Sequence, residues 1–592
     1  MLASFRRLLV IYKGYRFRLI VSQALLMVSA LSTIGVATLN QRMINEGLLA
    51  QNVQVIITTG ITMSLLAVVS GLAMAGTAVF AVFFAQGTAY LLRAELYHKI
   101  QTFSFANFDQ FRTGNLMVRL STDVNQIANA VLYSVILVMY APFMVIVAYT
   151  LAIIRTPSLV WILLVVTLVV LVVMAVIVPQ IFRAYNQRQK RLSDLNDTLQ
   201  ENLAGVRVVK AFVREELEKE RFARRADDLR QPAFAAAFRV ALLNPLLAAI
   251  AQISIGAAIW IGGTQVLSST ALSVGELVTF TQYLAQVVTP LALMAVVVPF
   301  ILRGDASAER LFEVYDAPPL VQDRPDARTL AVTAVQGRVS FENVSFAFRR
   351  PDGKFDPPAI KNINLTVEPG ERIGILGATG AGKSALVNLL PRFYDVTEGR
   401  ITIDGVDVRD VTQENLRQIV GIALQEAVLF QGNVRFNLKF ANPDAEDEVM
   451  IAAAQAADSF GFVSNLPEKW DAPVARRGYN FSGGQRQRLA ITRTLAAEPR
   501  VLVLDDSTSA LDVATESRVQ GAIPGFSNNV TTIYIAQRIS AVIDLDKIVL
   551  MENGEIVASG THESLLADNA LYQQIYESQL GRDVTAGLEV AA

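Results

Sequence analysis

The stretch that decides the fold is Gly377-Ala378-Thr379-Gly380-Ala381-Gly382-Lys383-Ser384, which matches the pattern G-x-x-x-x-G-K-[S/T]. The apolar run Arg372 to Leu376 before it predicts a strand, and Ala385 to Leu390 after it predicts a helix. Glycines let backbone N–H groups curl around phosphate oxygens, and the N-terminus of the helix adds a favourable dipole. We therefore predict a phosphate-binding loop, in which Lys383 reaches the β- and γ-phosphates and Ser384 binds Mg²⁺.

A second motif, Val501-Leu502-Val503-Leu504-Asp505-Asp506, places two carboxylates after four apolar residues. The apolar residues predict a buried strand that ends at Asp505. By itself such a carboxylate pair could be a solvated strand end. Together with the phosphate-binding loop it predicts a Mg²⁺ site, with Asp505 acting through water.

The composition is that of a chain with a large apolar part. Hydrophobic residues make up 52% and charged residues 18%, and the net charge of -1 gives no electrostatic argument for a nucleic-acid partner. The chain has no cysteine, which excludes disulfides, thiolate metal sites and a cysteine nucleophile. The basic N-terminus is followed by a long apolar run without a small-residue cleavage pattern, so we predict a first membrane span there rather than a cleaved signal peptide.

Runs of about 20 apolar residues can cross the hydrocarbon core of a bilayer as helices. The predicted spans are Phe17–Leu39, Val55–Phe84, Ala130–Ile154, Ser158–Pro179, Ala241–Val266 and Leu277–Leu302. The spans contain almost no full charges, which favours hydrophobic or amphipathic cargo over small ions.

Basic residues are concentrated before the first span and in the two long connections, and the other connections carry few. The positive-inside rule therefore predicts that both termini and both long connections are cytosolic. The connections also show helical spacing, which predicts long helices that continue beyond the membrane. Their turns, Asn107–Asp123 and Asn202–Glu216, are candidate docking segments for the soluble part.

The chain turns polar and proline-containing around 316–335, which is typical of a linker. The predicted organisation is a transmembrane domain at 1–315, a linker at 316–335, a nucleotide-binding domain at 336–581 and a tail at 582–592. The predicted fold class is a membrane all-α six-helix domain followed by a cytosolic α/β P-loop nucleotide-binding domain.

The segment Ser482-Gly483-Gly484-Gln485, at the start of a predicted helix, resembles the signature of ATP-binding cassette (ABC) transporters. Six spans followed by one cassette resemble an exporter-type half-transporter, and the likeness covers essentially the whole chain. The resemblance implies ATP and Mg²⁺ as ligands. It also implies that Phe348 stacks on adenine and that Gln425 senses Mg²⁺, with the metal held by Ser384, Gln425 and Asp505.

In that family two cassettes face head to tail, so that the signature of each chain completes the ATP site on its partner's phosphate-binding loop. The resemblance therefore implies a dimer, in which Ser482, Gly483, Gly484 and Gln485 act on ATP bound by the partner.

Two positions depart from the family pattern and determine the functional hypothesis. Asp506 stands where the family usually has the glutamate that polarises water, and Gln537 stands where it usually has histidine. Losing one methylene withdraws the carboxylate by over ~1 Å, a displacement that can cost roughly 10²-fold in rate. An amide can donate a hydrogen bond to a phosphate but cannot become cationic near neutral pH. The chain therefore resembles the degenerate-site subunit of bacterial heterodimeric multidrug-type exporters.

We accordingly expect an ATP-driven exporter subunit in the plasma or inner membrane, paired with a half-transporter that keeps the glutamate and histidine. Its expected cargo is a hydrophobic or amphipathic compound, such as a drug or a lipid. The alternatives are a homodimer with slow ATPase, an importer built on the exporter fold, and a regulatory nucleotide-binding subunit.

Overall fold

A computed structural model describes Arg7 and residues 12–268, 272–350, 353–526 and 529–581. Its internal contacts divide the chain into two units. One unit consists of Met1–Gln101 and Gly114–Ala317, and the other of Thr102–Thr113 and Pro318–Ala592. The predicted tail, 582–592, lies outside the described residues.

The part of the chain before the soluble sequence is helical. Its helices are α1 (Arg16–Arg42), α2 (Val53–Gln101), α3 (Phe105–Gln110), α4 (Thr113–Val118), α5 (Val124–Tyr133), α6 (Met139–Arg155), α7 (Val160–Ala204), α8 (Val206–Ala211), α9 (Glu215–Ser268) and α10 (Val274–Asp316). π-Helical segments continue α1 and join α4 to α5 and α5 to α6 at Met43–Leu48, Arg119–Asp123 and Ser134–Val138. All of these helices belong to the first unit except α3 and the first residue of α4, Thr113.

Six helical segments in the described part of the chain are long and apolar enough to cross a membrane. They are Arg16–Leu48, Val53–Gln101, Thr113–Arg155, Pro157–Ala204, Glu215–Ser268 and Val274–Asp316. Each contains one predicted span. The 49-residue α2 is roughly 70 Å long at about 1.5 Å per residue, which far exceeds a hydrocarbon core of about 30 Å. The second helix therefore extends well past its predicted span, Val55–Phe84, as its sequence predicted.

A buried carboxylate ties the third of these segments to the sixth. Asp123 is 2% exposed and accepts a hydrogen bond from the hydroxyl of Ser307 at 2.8 Å. The guanidinium of Arg310 donates to the same carboxylate, with Nε at 3.1 Å from Oδ2. A buried charge is tolerated when it is paired and hydrogen-bonded, and these contacts join Asp123 to α10.

The second unit contains two main sheets. Its strands are β1 (Val339–Phe346), β2 (Ile360–Val367), β3 (Arg372–Leu376), β4 (Glu398–Ile403), β5 (Val406–Asp407), β6 (Val420–Ala423), β7 (Gly432–Asn433), β8 (Pro473–Val474), β9 (Val501–Asp505), β10 (Thr531–Ala536), β11 (Lys547–Glu552) and β12 (Glu555–Gly560). The larger sheet has the order β12-β11-β3-β10-β9-β6, and an antiparallel sheet has the order β2-β1-β4-β5. β9 and β10 are wholly buried apolar strands apart from a few polar side chains, as expected of a sheet covered on both faces.

Helices surround these sheets. They are α11 (Lys383–Leu389), α12 (Gln413–Ile419), α13 (Val434–Leu438), α14 (Asp447–Ala456), α15 (Phe460–Ser464), α16 (Gly483–Leu495), α17 (Val513–Phe526), α18 (His562–Asp568) and α19 (Ala570–Gln579). The predicted fold class, helical membrane segments followed by an α/β nucleotide-binding domain, is confirmed. The helix after the phosphate-binding loop begins at Lys383 rather than at Ala385, because left-handed Gly382 (φ 95°) immediately precedes it.

The short helix α3 packs within the second unit, although it lies between two membrane segments in sequence. The Phe105 ring meets the Phe393 ring edge-on at 4.1 Å between centroids. The carboxylate of Asp109 accepts a hydrogen bond from the Tyr394 hydroxyl at 2.7 Å. Docking by the first predicted segment, Asn107–Asp123, is thus confirmed at Asp109, and Phe105 extends it toward the N-terminus.

We expect Asp123→Ala to lower the thermal unfolding temperature of the detergent-solubilised chain. Removing one partner of a buried ion pair costs about 3–5 kcal/mol when the other stays buried, and we expect somewhat less here because the Arg310 side chain is 51% exposed. Glu313→Ala is the matched control, since it breaks an ion pair with Arg119 whose glutamate is 60% exposed. Equal shifts for the two variants would show that burial of Asp123 does not matter.

Candidate functional site

Four loops meet at one edge of the larger sheet. The parallel strands β3, β10, β9 and β6 are adjacent in that order, with Leu376 opposite Ala536 and Leu504 opposite Ala423. Their carboxyl ends therefore lie side by side, and a crevice beyond the carboxyl ends is where α/β sheets bind ligands. The phosphate-binding loop follows β3, Gln537 follows β10, Asp506 follows β9 and Gln425 follows β6.

A cavity of about 310 Å³ opens at this edge. Of the residues predicted from sequence, it is lined by Phe348, Thr379, Gly380, Gly382, Lys383, Ser384, Gln425, Asp505, Asp506 and Gln537. Ala359, Ala385 and Ile535 complete its wall. Residues far apart in sequence and predicted to share one ligand thus share one cavity.

The remaining predicted residues lie elsewhere. Gly377 and Ala378 line a neighbouring cavity of about 310 Å³, together with Thr379 and Gln537, and Ala381 is buried. The signature residues Ser482 to Gln485 are not among the described residues that line the first cavity. In this chain the signature and the phosphate-binding loop therefore do not form one site.

Glycine is required at two positions of the loop by close backbone approach. A Cβ at Gly377 would lie 2.4 Å from the carbonyl oxygen of Met551. A Cβ at Gly382 would lie 2.7 Å from the carbonyl oxygen of Ala359, and the backbone there has φ 95°, a conformation that favours glycine. The loop therefore lies close to Met551 of β11 and to Ala359, which precedes β2.

The polar groups of the loop contact one another and the end of β9. Lys383 Nζ donates to the carbonyl oxygens of Gly377 at 2.6 Å and of Ala378 at 3.0 Å. Ser384 Oγ donates to Asp505 Oδ1 at 2.9 Å. A hydroxyl and a carboxylate placed this close are hard oxygen donors of the kind that Mg²⁺ prefers, so the residues fit that metal.

Two amides engage the carboxylate of Asp506. The Nε2 atoms of Gln425 and Gln537 each donate to Asp506 Oδ2 at 3.2 Å. The backbone of Asp506 is in the left-handed region at φ 47°, so the chain turns sharply after β9. The two residues that depart from the family pattern, Asp506 and Gln537, are therefore hydrogen-bonded to each other.

Burial controls the electrostatics of the cavity. It raises the pKa of Asp505, where the Asp506 charge adds to the rise and the bond from Ser384 opposes it. It also raises the pKa of Asp506, against the hydrogen bond from Gln425, and lowers the pKa of Lys383, against the charges of Asp506 and Asp505. The folded state thus holds protons on these carboxylates more tightly than the unfolded state, so their contribution to stability falls as pH rises through the raised pKa values.

The signature segment forms a helix cap. Ser482 precedes α16, and its Oγ accepts from the N–H of Gln485 at 3.3 Å, while the Ser482 N–H donates to Gln485 Oε1 at 2.9 Å. This reciprocal arrangement is a capping box. It fixes the first turn of α16, whose N-terminal N–H groups are suited to bind an anion.

Comparison with known proteins agrees with this arrangement. A family model of the ABC transporter transmembrane region matches residues 19–291, and the ABC transporter model matches residues 360–509. The uncharacterized ABC transporter ATP-binding protein YfiB of Bacillus subtilis (strain 168) is 33% identical, over 92% of this chain and 93% of its own length. The chain belongs to the ABC transporter family.

Two further matches identify the type of transporter. The ATP-dependent lipid A-core flippase of Syntrophus aciditrophicus (strain SB) is 33% identical, over 98% of this chain and 95% of its own. The structure of a bacterial Atm1-family ABC exporter with ATP bound is similar at a TM-score of 0.81 and 26% identity, covering 95% of this chain and 99% of that one. The transporter is thus a multi-pass membrane protein with the fold of an ABC exporter half-transporter. Its ATP-binding cassette supports ATP hydrolysis coupled to export.

Sequence reasoning missed the residue that holds the loop of Gln537 in place. Gln579, near the end of α19, accepts from the N–H of Ile539 at 2.8 Å and donates to the carbonyl oxygen of Gln537 at 3.1 Å. Its side-chain amide therefore bridges the backbone on both sides of Arg538. Nothing in the sequence signals this contact, because Gln579 is one polar residue on an amphipathic terminal helix.

A second missed contact ties the same loop to the segment after Asp506. Arg538 donates to the carboxylate of Glu516 at 2.9 Å, and Glu516 is 3% exposed. The same carboxylate accepts a hydrogen bond from the hydroxyl of Thr508. The loops after β9 and β10 are thus connected through one buried glutamate of α17.

We expect Gln579→Ala to weaken the discrimination between ATP and ADP. The variant leaves the N–H of buried Ile539 without its acceptor, which costs about 1–3 kcal/mol, and removes the donor to the carbonyl of exposed Gln537. Gln537 is predicted from the sequence to donate a hydrogen bond to the γ-phosphate, which ADP lacks, so we expect its displacement to lower ATP affinity about tenfold and to change ADP affinity little. Equilibrium binding of both nucleotides to the purified chain measures the ratio.

Ser578→Ala is the matched control, because Ser578 lies beside Gln579 in the wall of the neighbouring cavity and its hydroxyl donates to the Ile575 carbonyl oxygen of its own helix at 3.0 Å. Gln579→Glu keeps the acceptor for the Ile539 N–H but loses the donor to the Gln537 carbonyl. Its loss of ATP affinity should therefore lie between those of Ser578→Ala and Gln579→Ala. An equal loss of ATP and ADP affinity in Gln579→Ala would indicate a purely structural role.

Proposed function

We propose that this transporter is one subunit of a heterodimeric ABC exporter, which binds ATP at a degenerate site and completes the hydrolytic site of its partner. The observation that carries the proposal is the pair of 3.2 Å hydrogen bonds from Gln425 and Gln537 to a single oxygen of Asp506. The side chain in the position of the catalytic base, Asp506, is therefore shorter than the usual glutamate, and its carboxylate already accepts two hydrogen bonds.

The geometry explains why hydrolysis at this site should be slow. A general base must reach the proton it removes, either directly or through one water. Asp506 lacks one methylene of the usual glutamate, and misplacements of about 1 Å can cost roughly 10²-fold in rate. Its Oδ2 already accepts from two amides, and Gln537 cannot supply a positive charge to the γ-phosphate. The two substitutions therefore act on the same step.

Binding of ATP needs other residues, and these are all present. Phe348 would stack on adenine, and the backbone of Gly377 to Gly382 together with Lys383 would hold the phosphates. Mg²⁺ would be held by Ser384, Gln425 and Asp505, where it neutralises phosphate charge. On the signature side, Ser482, Gly483, Gly484 and Gln485 would meet ATP bound to the partner, which lets one chain serve two sites.

A surface in the second long connection supports a partner chain. The helix α8 has no buried residue, and apolar side chains at its end are exposed: Val208 at 61%, Phe212 at 72% and Val213 at 80%. Exposed apolar patches of this kind mark interaction sites. We propose that the segment Asn202–Glu216 docks on the second half-transporter.

The proposed cargo is a hydrophobic or amphipathic compound that leaves the cytosol or the inner leaflet of a plasma or inner membrane. Spans with almost no full charges support this, and one relative is a lipid A-core flippase. In this proposal both termini are cytosolic, residues 1–315 form the translocation domain and residues 336–581 form the ATPase domain.

The ATPase prediction concerns which motif of this chain matters in the complex. The purified chain alone should turn over ATP at least about 10²-fold more slowly than a complex with a half-transporter that carries glutamate and histidine. In that complex Ser482→Ala should lower turnover by about tenfold or more, since the signature serves the active site. Asp506→Asn should lower it by less than about threefold. Steady-state phosphate release measures all three.

Lys383→Ala is the control for ATP binding, because it removes a phosphate contact from the degenerate site without changing Asp506 or the signature. Robust turnover by the lone chain that Asp506→Ala abolishes would refute the heterodimer and favour the slow homodimer. If Lys383→Ala abolishes regulation of the complex but leaves the partner's basal hydrolysis unchanged, the chain is a regulatory subunit.

A second prediction concerns direction. Inverted membrane vesicles that contain the complex should accumulate a fluorescent amphipathic dye in their lumen when ATP and Mg²⁺ are added, because their cytosolic face points outward. Vesicles with the partner's glutamate replaced by glutamine provide the control. ATP-dependent loss of dye preloaded in the lumen would mean import.

A further inference from the structure

A groove between α7 and α10 in the first unit combines an apolar wall with a positively charged mouth. Its volume is about 230 Å³. Ile181, Phe182, Pro299 and Leu302 form much of the wall, and Tyr185 and Arg303 also line it. No motif or role discussed above uses these residues.

Two arginines approach the ring of Tyr185, of which Arg303 lines the groove itself and Arg188 lies beside Tyr185 on α7. The guanidinium carbons of Arg188 and Arg303 each lie 5.2 Å from the centroid of the Tyr185 ring. Arg303 also lies 6.0 Å from the Phe300 ring. Neither arginine forms an ion pair with a carboxylate of the described residues. Two cations therefore contact the same ring, and no carboxylate of the described residues balances their charge.

This arrangement selects a ligand class. A guanidinium presents a planar fork of donors that matches a phosphate or a carboxylate, and charge-assisted bonds of this kind are about twice as strong as neutral ones. The cation–π contact with Tyr185 restrains the Arg303 side chain and reduces the rotamer entropy lost on binding. An anion in the mouth would relieve the repulsion between the two cations. The apolar wall offers a place for an alkyl chain and nothing for a second charge.

The position along the helices fits a ligand at a membrane surface. The predicted fourth span ends at Pro179 and the predicted sixth at Leu302, so Arg303 directly follows one span and Arg188 lies some turns beyond the other. The wall residues lie near these span ends, with charge on the cytosolic side. A molecule with one anionic end and one apolar end would match this order.

We propose that the groove between α7 and α10 binds an anionic amphiphile, with its phosphate or carboxylate head between Arg188 and Arg303 and its alkyl chain along Ile181, Phe182 and Leu302. The proposal goes beyond ATP-driven export of hydrophobic compounds, because it requires a negative charge on the bound molecule. It concerns binding by this chain alone and does not depend on which partner completes the dimer.

The competing explanation is that the arginines only hold two helices together by stacking. That role needs no ligand and predicts no preference between anionic and neutral amphiphiles. The two explanations therefore differ in a binding measurement, and not only in the effect of a substitution on stability.

The experiment measures binding of radiolabelled dodecyl phosphate to the purified full-length chain in a neutral detergent, by scintillation proximity. Dodecanol and inorganic phosphate are the competitors, because each carries one half of the proposed ligand. The variants are Arg303→Ala, Arg303→Lys and Arg188→Ala. Arg183→Ala is the matched control, since Arg183 is an exposed arginine of the same helix, two positions before Tyr185, and residues two apart on a helix do not face each other.

We expect saturable binding that weakens about tenfold in Arg303→Ala and in Arg188→Ala, as for loss of one charge-assisted contact. Arg303→Lys should fall between them and the unsubstituted chain, because it keeps the charge but loses the planar fork. Arg183→Ala should bind normally, and each competitor should be at least about tenfold weaker than unlabelled dodecyl phosphate.

Three results would overturn the proposal. Equal competition by dodecanol would show that the head group is not recognised, and equal competition by inorganic phosphate would show a simple anion site. Unchanged affinity in variants that remain monodisperse on size exclusion would place binding elsewhere. The measurement contains no nucleotide and no partner, so its failure would leave the proposed export function standing, and failure of that function would leave this result unaffected.

Discussion

The parallel alignment of β3, β10, β9 and β6 is the constraint on which the nucleotide site depends. A parallel sheet places all carboxyl ends of its strands at one edge. Leu376 lies opposite Ala536, and Leu504 lies opposite Ala423, so the four loops that follow these strands lie next to one another. Burial of their apolar side chains fixes the strands in the core. The core thereby also determines where the polar side chains of the loops after the strands lie.

The two altered residues meet because of this alignment. Asp506 follows β9 and Gln537 follows the adjacent β10, so their side chains can share a hydrogen bond. Gln425 reaches the same oxygen from the other neighbour of β9. Three strand ends thus converge on one carboxylate. Buried Glu516 and the side chain of Gln579 then restrain the loop of Gln537 from outside the sheet.

The membrane part follows a different logic, because its helices are apolar almost all round. In hydrocarbon every backbone group must be satisfied within the helix, which makes length and hydropathy strong predictors. Charges collect at the ends of the spans. There Asp123 is paired with Arg310, whereas Arg188 and Arg303 contact the Tyr185 ring and form no ion pair with a carboxylate in the described part of the chain. The charge of Asp123 is balanced within the protein, whereas the two arginines at Tyr185 could bind an anionic ligand.

The sequence by itself determined the six membrane segments, the α/β class of the cassette and the identity of most cavity residues. Each of these depends on local patterns: apolar run length, the loop of Gly377 to Ser384, and a strand that ends in Asp505. Only the tertiary structure decided that Gln425 and Gln537 bond to one oxygen of Asp506, that Gln579 bridges Ile539 and Gln537, and that two arginines share Tyr185. These contacts join residues far apart in the chain, and their side chains carry no periodic or motif signal. Their positions follow from strand order and helix packing, which a single sequence does not encode locally.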